Sequence, residues 1–456
     1  MLNKEIDVNA QSEHLDNALQ AASHKGHEKT VLTLLNKEID VNAQSEYFDN
    51  ALQIASYEEH EKIVQTLLNK GVDVNAQSES FDNALQAASH EEHEKIVQTL
   101  LNKEIDINAQ SEHFDNALYA ASHEGHEKIV QTLLNKEIDV NAQSEDFGNA
   151  LQTASHEEHE KTVLTLLNKE IDVNAQSEDF GNALYAASHE EHEKIVQTLL
   201  NKGTDFNAQS EHLDNALQTA SYREHEKIVQ TLLNKEIDVN AQSEDFDNAL
   251  LTAFYRGHEK IVQTLLNKEI DVNAQSEHFD NALYAASEEG HEKIVLTLLN
   301  KGIDVNAQSE RFDNALLTAS YRGHEKIVLT LLNKEVDVNA QSEDFGNALQ
   351  TASHEEHENI VQTFLNKEVD VNAQSEHFDN ALQTASHEEH EKTVQTLLNK
   401  EVDVNAQSER FDNALQAASH EEHEKTVQTL LNKALVQSQH EISAVAACHC
   451  SAVQLR

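Results

Sequence analysis

The chain contains no proline and no tryptophan, and cationic residues are scarce, with 33 Lys and Arg against 82 Asp and Glu. Its formal net charge is −49 over 456 residues. A shortage of cations opposes binding to nucleic acid or to anionic membranes, because both require neutralising positive charge. The same imbalance favours solubility and a protein partner that carries a basic patch.

Cysteine is nearly absent as well, since Cys448 and Cys450 are the only two. A disulfide between two cysteines with one residue between them could not stabilise a chain of this length. This favours a reducing, intracellular compartment, namely the cytoplasm, and does not exclude the nucleus. No apolar run approaches the ~18 residues that a membrane span needs, and residues 1–16 lack the basic and then apolar pattern of a signal peptide.

The tripeptide Asn-Ala-Leu recurs thirteen times, always at an interval of 33 residues. It begins at Asn17, Asn50, Asn83, Asn116, Asn149, Asn182, Asn215, Asn248, Asn281, Asn314, Asn347, Asn380 and Asn413. A fixed period of this length indicates a solenoid, in which each unit buries its apolar face only against its neighbours. We therefore expect a partial repeat at 1–16, thirteen repeats over 17–433, and a tail at 434–456 that either caps the last repeat or is disordered.

One unit, residues 83–115, predicts the local structure. Asn83 is a good N-cap for a short helix from Ala84 to about Ser89. A second helix is expected from about Glu94 to Asn102, because Ile96, Val97, Leu100 and Leu101 form one apolar stripe. An extended segment at 105–108 and a polar turn follow. Helices this short are unstable alone, so the pattern predicts an all-α repeat solenoid built of helix, turn, helix and finger-like loop.

These units resemble ankyrin repeats. The segments Gly125–Val130 and Gly302–Ala307 match the start and the end of the second half of that family's repeat, and the resemblance covers about residues 3–433. The Asn-Ala-Leu spelling is similar to the variant common in fungal proteins, where such arrays often follow a NACHT-type nucleotide-binding module. The resemblance implies a protein-binding array without enzymatic activity.

Glycine departs from the family pattern at two turns. After the second helix it is kept only at Gly71, Gly203 and Gly302, and Glu takes its place ten times, as at Glu104. Before the His of the second helix, Gly is kept five times and Glu holds the other eight positions. A residue other than Gly costs about 1–2 kcal/mol in the left-handed region. Either the turns are rearranged or each repeat is less stable than the family norm.

The 28 histidines pose a separate question, because a sequence such as Ser-His-Glu-Glu-His-Glu-Lys places two of them three residues apart. Thirteen, from His27 to His423, stand where the resemblance implies a framework residue at the start of the second helix. Eight more, such as His90, lie three residues earlier. A metal site requires convergent ligands, and these pairs straddle a turn, so we expect no metal and no cofactor. Protonating all 28 would take the net charge from −49 to −21, which leaves a pH response open beside a merely solvated polar surface.

Comparison of the repeats with each other shows three variable places. They are the fingertip, the first-helix position of Gln20 and Tyr119, and the pair after the first helix, which is mostly His-Glu. The resemblance implies that such positions contact partners. Tyr and Arg, which are enriched in binding hot spots, gather there in repeats seven to ten. The predicted partner-binding residues are Tyr222, Arg223, Tyr255, Arg256, Tyr284, Arg311, Tyr321 and Arg322.

No motif predicts catalysis. The sequence contains no nucleophile elbow, phosphate-binding loop or metalloprotease helix, and its carboxylates fall on turns expected to be solvated. We therefore expect a monomeric protein-interaction module that presents a concave, strongly acidic surface and is not an enzyme. The alternative is the C-terminal regulatory or sensor array of a larger NACHT-type signalling protein.

Overall fold

A computed structural model describes residues 17–37, 39–44, 50–77, 83–111, 115–144, 148–177, 181–209, 215–235, 237–242, 248–268, 270–275, 281–309, 313–342, 346–367, 369–374, 379–400, 402–407 and 413–435. The predicted partial repeat at 1–16 lies outside these residues, as does most of the tail. The chain forms two compact units, Met1–Glu244 and Asp245–Arg456, and each is treated by itself.

The first unit contains seven helix pairs. Its first helices are α1 (Ala18–His24), α3 (Ala51–Tyr57), α5 (Ala84–His90), α7 (Ala117–His123), α9 (Ala150–His156), α11 (Ala183–His189) and α13 (Ala216–Tyr222). Its second helices are α2 (Glu28–Leu35), α4 (Glu61–Asn69), α6 (Glu94–Leu100), α8 (Glu127–Leu134), α10 (Glu160–Leu166), α12 (Glu193–Asn201) and α14 (Glu226–Leu232).

The second unit contains six pairs. Its first helices are α15 (Ala249–Tyr255), α17 (Ala282–Glu288), α19 (Ala315–Arg322), α21 (Ala348–His354), α23 (Ala381–His387) and α25 (Ala414–His420). Its second helices are α16 (Glu259–Leu265), α18 (Glu292–Lys301), α20 (Glu325–Leu331), α22 (Glu358–Phe364), α24 (Glu391–Leu398) and α26 (424–435). The described residues contain no strand, only isolated bridges such as Ser144 with Gly148.

The repeat predicted from residues 83–115 is confirmed, with small shifts in its helix bounds. Asn83 caps α5, and its Oδ1 accepts the backbone N–H of Leu85 at 2.9 Å and of Gln86 at 3.1 Å. The first helix runs one residue beyond Ser89, and the second ends at Leu100 rather than near Asn102. The predicted extended segment at 105–108 is coil and turn.

Stacking supplies the core of each unit, as a solenoid requires. Consecutive first helices pack on one another, as do consecutive second helices. Ile63, Val64 and Leu67 on α4 are at most 1% exposed, and so are Ile261 and Val262 on α16. Burying a side chain of this kind contributes about 1.5–3 kcal/mol, which offsets the instability of helices that, apart from α26, are only seven to ten residues long.

The turn between the two helices carries the predicted backbone strain. All eight Glu residues at this turn have positive φ, from 58° at Glu356 to 67° at Glu191 and Glu224. The glycines that hold the same position in other repeats have positive φ as well, for example 75° at Gly125. The turn therefore keeps its left-handed residue whether or not that residue is glycine.

The turn after the second helix behaves differently, because there the chain is rearranged. Where glycine is kept, the second helix continues to Asn69, Asn201 or Lys301, and the glycine has positive φ, as at Gly302 with 83°. Where Glu replaces it, the described second helices end at a Leu or Phe, and Glu104, Glu137, Glu170 and Glu335 are not among the residues with positive φ. An earlier helix end thus avoids the strain.

Loop amides tie each repeat to the next. The Oδ1 of Asn75 accepts the backbone N–H of Asp106 in the following repeat at 2.6 Å, and its Nδ2 donates to the carbonyl of Glu104 at 3.2 Å. The same pattern recurs at Asn108, which accepts from Asp139 at 2.6 Å. Among the described residues, no helix is both long enough and apolar enough to cross a membrane.

Candidate partner-binding face

The histidine at the start of each second helix is a framework residue. It occupies the N-cap position, but its side chain does not cap its own helix. In several repeats the ring instead reaches the last carbonyl of the first helix in the preceding repeat, as in His126 Nε2 to His90 O at 2.8 Å and His159 Nε2 to His123 O at 2.7 Å. His390 does the same in the second unit, at 2.7 Å from the carbonyl of His354. In two others, the Nδ1 atoms of His225 and His423 reach the carbonyl one residue earlier, at Ser188 and Ser386.

This hydrogen bond fixes the tautomer. A carbonyl oxygen can only accept, so the ring nitrogen that faces it must carry the proton. The last turn of each first helix thereby gains a donor for a carbonyl that has no partner inside the helix. Where this hydrogen bond forms, the framework histidine joins consecutive repeats, in agreement with the structural role predicted for it.

The second set of histidines forms part of a separate feature, which we call the junction row. It comprises the residues of each repeat that are equivalent to His90 and Glu91, which stand at the end of the first helix, as in His123-Glu124 and Tyr321-Arg322. Within a pair, the ring contacts the neighbouring carboxylate: His90 Nδ1 lies 2.8 Å from Glu91 Oε1, and His123 Nδ1 lies 2.7 Å from Glu124 Oε1.

The row also continues from one repeat to the next. His90 Nε2 lies 3.6 Å from Glu124 Oε1, and His156 Nε2 lies 3.7 Å from Glu190 Oε1. In the second unit, His387 Nε2 lies 3.7 Å from Glu421 Oε1. Each of these rings therefore has a carboxylate at both nitrogens, one from its own repeat and one from the following repeat.

Two carboxylates of this row, those of Glu124 and Glu190, are stabilised in their charged form. Partial burial opposes ionisation of Glu124, but the hydrogen bond from His123 and the charges of nearby imidazoles outweigh it, so the pKa of Glu124 lies below its ordinary value. The pKa of Glu190 is lowered in the same way against partial burial, by His189 above all. Burial holds the pKa of His189 below its ordinary value, and the charge of Arg223 acts in the same direction.

Two of the predicted arginines enter the junction row. In the second unit, Arg322 Nη2 lies 2.6 Å from Glu288 Oε1, and its guanidinium lies 5.7 Å from the ring centre of Tyr321. The hydrogen bond to Glu288 raises the pKa of Arg322. In the first unit, Arg223 contacts the ring of His189. Both arginines thus reach back to the preceding repeat at the position where other repeats place a Glu.

The remaining predicted residues are placed as follows. Tyr222 and Tyr321 are 46% and 39% exposed, while Tyr255 and Tyr284 are half-buried. Arg256 is exposed, and Arg311 lies outside the described residues, as do all the other fingertip residues from His14 to Arg410. Tyr222 and Arg223 belong to the first unit and the other described residues to the second.

The variable first-helix position is largely interior. Gln86 accepts the backbone N–H of Asn83 at 2.6 Å and donates to the carbonyls of Ala109 at 3.2 Å and Asp115 at 2.8 Å. It is 4% exposed. Where the residue is Leu251 or Leu317, the side chain is 1% or 3% exposed. The sequence resemblance assigned this position to partner contact. In these repeats the side chain exposes almost no surface to a partner, because Gln86 completes the capping box of its helix and Leu251 and Leu317 lie in the core.

Sequence reasoning missed Tyr57, which is 53% exposed at the end of α3. It stands in the junction row at the same register as Tyr222 and Tyr321. Its neighbour is Glu58, whose Oε1 lies 3.1 Å from His24 Nδ1. Comparison of the repeats at this position, without the requirement that Arg follow Tyr, identifies it.

Lysines of the second helices form ion pairs with glutamates of the neighbouring second helix. Lys95 lies 2.8 Å from Glu61, Lys128 lies 2.7 Å from Glu94, and Lys194 lies 2.8 Å from Glu160, each pair joining consecutive repeats. These pairs are solvent-exposed, so they contribute little to stability. Across the described ranges, no group of three or more His, Cys, Asp or Glu residues is positioned to hold a metal ion.

Comparison with known families agrees with this architecture. The model for ankyrin repeats in three copies matches residues 1–78, 21–111, 52–144, 85–177, 119–210, 151–243, 217–309, 283–375 and 349–440. The matches overlap and together span most of the chain, which therefore belongs to the ankyrin-repeat family. Ankyrin repeats are generally protein–protein interaction modules. A search of curated proteins returned no match.

Proposed function

We propose that this chain is an intracellular protein-interaction array that binds a partner through the junction row, and that the partner presents a basic segment. The observation that supports this most directly is the alternation of His and Glu along the row. The carboxylates of Glu124 and Glu190 in this row are held in their charged form, whereas the lysines of α6, α8 and α12 are paired with Glu on the second helices.

The tyrosines and arginines of the row give the proposed surface its specificity. Tyr222 and Tyr321 are exposed large aromatic side chains, and Tyr and Arg are the side chains most often found in binding hot spots. We assign Tyr222, Arg223, Tyr255, Arg256, Tyr284, Arg311, Tyr321 and Arg322 to this contact. The contact involves shape and charge complementarity and includes no chemical step.

A defined probe tests the acidic part of the proposal. A fluorescent peptide of alternating Lys and Ser should bind the full chain, and its affinity should fall steeply with salt, because surface charges are screened within about 8–10 Å at 0.1–0.15 M ionic strength. A variant with Glu91→Gln, Glu124→Gln and Glu190→Gln should bind it more weakly. A control with Glu61→Gln, Glu94→Gln and Glu160→Gln removes the same charge from the second helices and should bind as the parent does. An equal loss of peptide affinity in both variants would show that binding depends only on the net charge of the chain and would contradict a contact at the junction row.

The aromatic part is tested by crosslinked capture from cell extract. Two variants, Tyr222→Ala with Arg223→Ala and Tyr321→Ala with Arg322→Ala, are compared with the parent and with Leu296→Ala, which alters an exposed side chain of α18. A protein retained by the parent and the control but lost from the junction variants supports the assignment. Retention by all four proteins would exclude these side chains from the contact.

The regulatory alternative, an array that follows a nucleotide-binding module, stays a prediction. An open reading frame for such a module directly upstream in the gene would support it.

A further inference from the structure

The junction row contains imidazole rings that have a carboxylate at both nitrogens. For His90, Nδ1 lies 2.8 Å from Glu91 of its own repeat, and Nε2 lies 3.6 Å from Glu124 of the next repeat. A neutral imidazole has one N–H donor, and a charged carboxylate can only accept. One ring nitrogen of neutral His90 therefore presents a lone pair to a carboxylate, whereas the protonated ring donates to both.

The same arrangement links other consecutive repeats, and we call each contact of this row between two repeats a joint. In the other His–Glu joints, Nε2 faces the carboxylate of the following repeat at 3.7 Å in His156 with Glu190, 3.9 Å in His354 with Glu388, and 3.7 Å in His387 with Glu421. The Nδ1 atoms of these three rings lie 2.6–2.8 Å from the glutamate of their own repeat. Both units thus contain joints in which a second proton would complete the hydrogen bonding.

The carboxylate of Glu124 lies among three imidazoles. His90 and His123 belong to the junction row, and His126 is the framework ring at the start of α8. Partial burial opposes ionisation of Glu124, but the hydrogen bond with His123 and the charges of these imidazoles keep its pKa below the ordinary value near 4.5. At about pH 6, where an ordinary histidine takes up its proton, this carboxylate is therefore charged and can pair with an imidazolium.

The other charged groups near His90 lie in its own repeat and in the preceding one. Glu92 in the turn and Glu94 on α6 both interact electrostatically with Lys128 of α8. Glu58, which follows α3, lies 3.1 Å from the junction ring of the repeat before it. None of these contacts involves the His90 ring, so its protonation is governed by the two carboxylates that it touches.

Two joints are of a different kind. Arg223 stands where other repeats have Glu and contacts Nε2 of His189. A guanidinium can only donate, so this nitrogen must accept and the ring is neutral. Burial holds the pKa of His189 below its ordinary value, and the charge of Arg223 acts in the same direction. In the second unit, Glu288 replaces the histidine and pairs with Arg322 at 2.6 Å, so this joint contains no imidazole.

We propose that the His–Glu joints are proton-dependent links between repeats, which strengthen as the pH falls from about 8 to about 5, whereas the joints at Arg223 and Arg322 do not respond. The stacked repeats favour the protonated ring of His90, because Nε2 then donates to Glu124. The stabilisation is therefore present below the pH at which the ring takes up its proton and is lost as the pH rises through that value. These contacts are internal to the chain, so they respond to pH with or without a bound partner.

Nuclear magnetic resonance of the full chain with labelled histidine measures proton uptake by single rings. The signals of His90 and His189 are assigned by their loss in His90→Gln and His189→Gln. Glu124→Gln should move the His90 titration to lower pH by about 0.2–0.7 pH unit, because the ring loses one carboxylate. Arg223→Glu should move the His189 titration to higher pH by about one pH unit or more, because a carboxylate then replaces a cation.

A double-mutant cycle tests whether the added proton strengthens the link. His90→Gln and Glu124→Gln, singly and together, are unfolded in urea at about pH 8 and about pH 5.5. The coupling between the two side chains should be absent at the higher pH and should change the unfolding equilibrium constant about 1.5- to 5-fold at the lower pH. The matched cycle of Glu288→Gln and Arg322→Gln should give the same coupling at both pH values.

Circular dichroism at both pH values checks that the variants are folded. An unchanged titration of His90 in Glu124→Gln, or of His189 in Arg223→Glu, would overturn the proposal. Equal coupling of His90 with Glu124 at both pH values would overturn it as well, since the contact would then be a hydrogen bond that needs no added proton.

Discussion

The eight Glu residues in the turn between the two helices should lower the stability of the array, and replacing them with glycine should raise it. At Glu92, with φ 62°, the left-handed backbone costs about 1–2 kcal/mol for a residue with a Cβ atom. Glycine removes this cost but adds about 0.5–1 kcal/mol of chain entropy on folding. The expected gain from Glu92→Gly is therefore about 0.5–1 kcal/mol.

Substitution at all eight positions should amplify this effect. The sites lie on different repeats, so their gains should add approximately, giving about 4–8 kcal/mol. Urea unfolding followed by far-ultraviolet circular dichroism measures the change as a shift of the midpoint at constant slope. The matched control is Glu104→Gly, at the other turn, where φ is not positive. It should lose about 0.5–1 kcal/mol, because glycine there adds only flexibility.

The reverse substitution checks the steric part of the reasoning. A Cβ atom on Gly125 would lie 2.5 Å from Nδ1 of His159 in the next repeat. Gly125→Glu should therefore destabilise the chain by more than the backbone cost of about 1–2 kcal/mol alone. The reasoning is refuted if Glu92→Gly does not stabilise the chain, or if Glu104→Gly stabilises it as much.

Three other substitutions or conditions give defined outcomes. Asn83→Ala should cost about 2 kcal/mol or more in urea unfolding, because the Asn83 side chain caps the helix by accepting the backbone N–H of Leu85 and Gln86 and donates to the carbonyl of Asp106. Substitution of the exposed Gln98 by Ala should change stability by less than about 0.5 kcal/mol. His159→Phe should cost about 1–3 kcal/mol, because the carbonyl of His123 loses its donor, and a cost below that of Gln98→Ala would contradict the framework role. The pKa of Glu124 is lowered on folding, so its contribution to stability is present above the unfolded value near 4.5 and is lost as pH falls through the lower folded value. Acid unfolding curves of the parent and of Glu124→Gln should therefore converge below pH 4.5, and a constant difference between them would disprove the linkage.

Several features of this protein follow from the sequence alone. The interval of 33 residues fixes the number of repeats, and Asn83 with its counterparts fixes the start of each first helix, because an N-cap is a local property of a residue and the next three. The apolar stripe of Ile96, Val97 and Leu100 likewise predicts the second helix. The family pattern also identifies Glu92 as a position where a left-handed residue is usual, although it leaves open whether the turn is strained or rearranged.

Tertiary structure decided what the side chains do between repeats. The sequence did not distinguish the two sets of histidines by their partners, because the carbonyl that binds the ring of His126 lies 36 residues away. It also assigned the position of Gln86 to a partner, whereas the stacked loop closes over that side chain. The two turns took opposite outcomes, strain at Glu92 and rearrangement at Glu104. Glu92 is held between α5 and α6, and His93 at the start of α6 is hydrogen-bonded to the preceding repeat. Glu104 follows the end of α6, where the helix can end a residue or two earlier and avoid a positive φ.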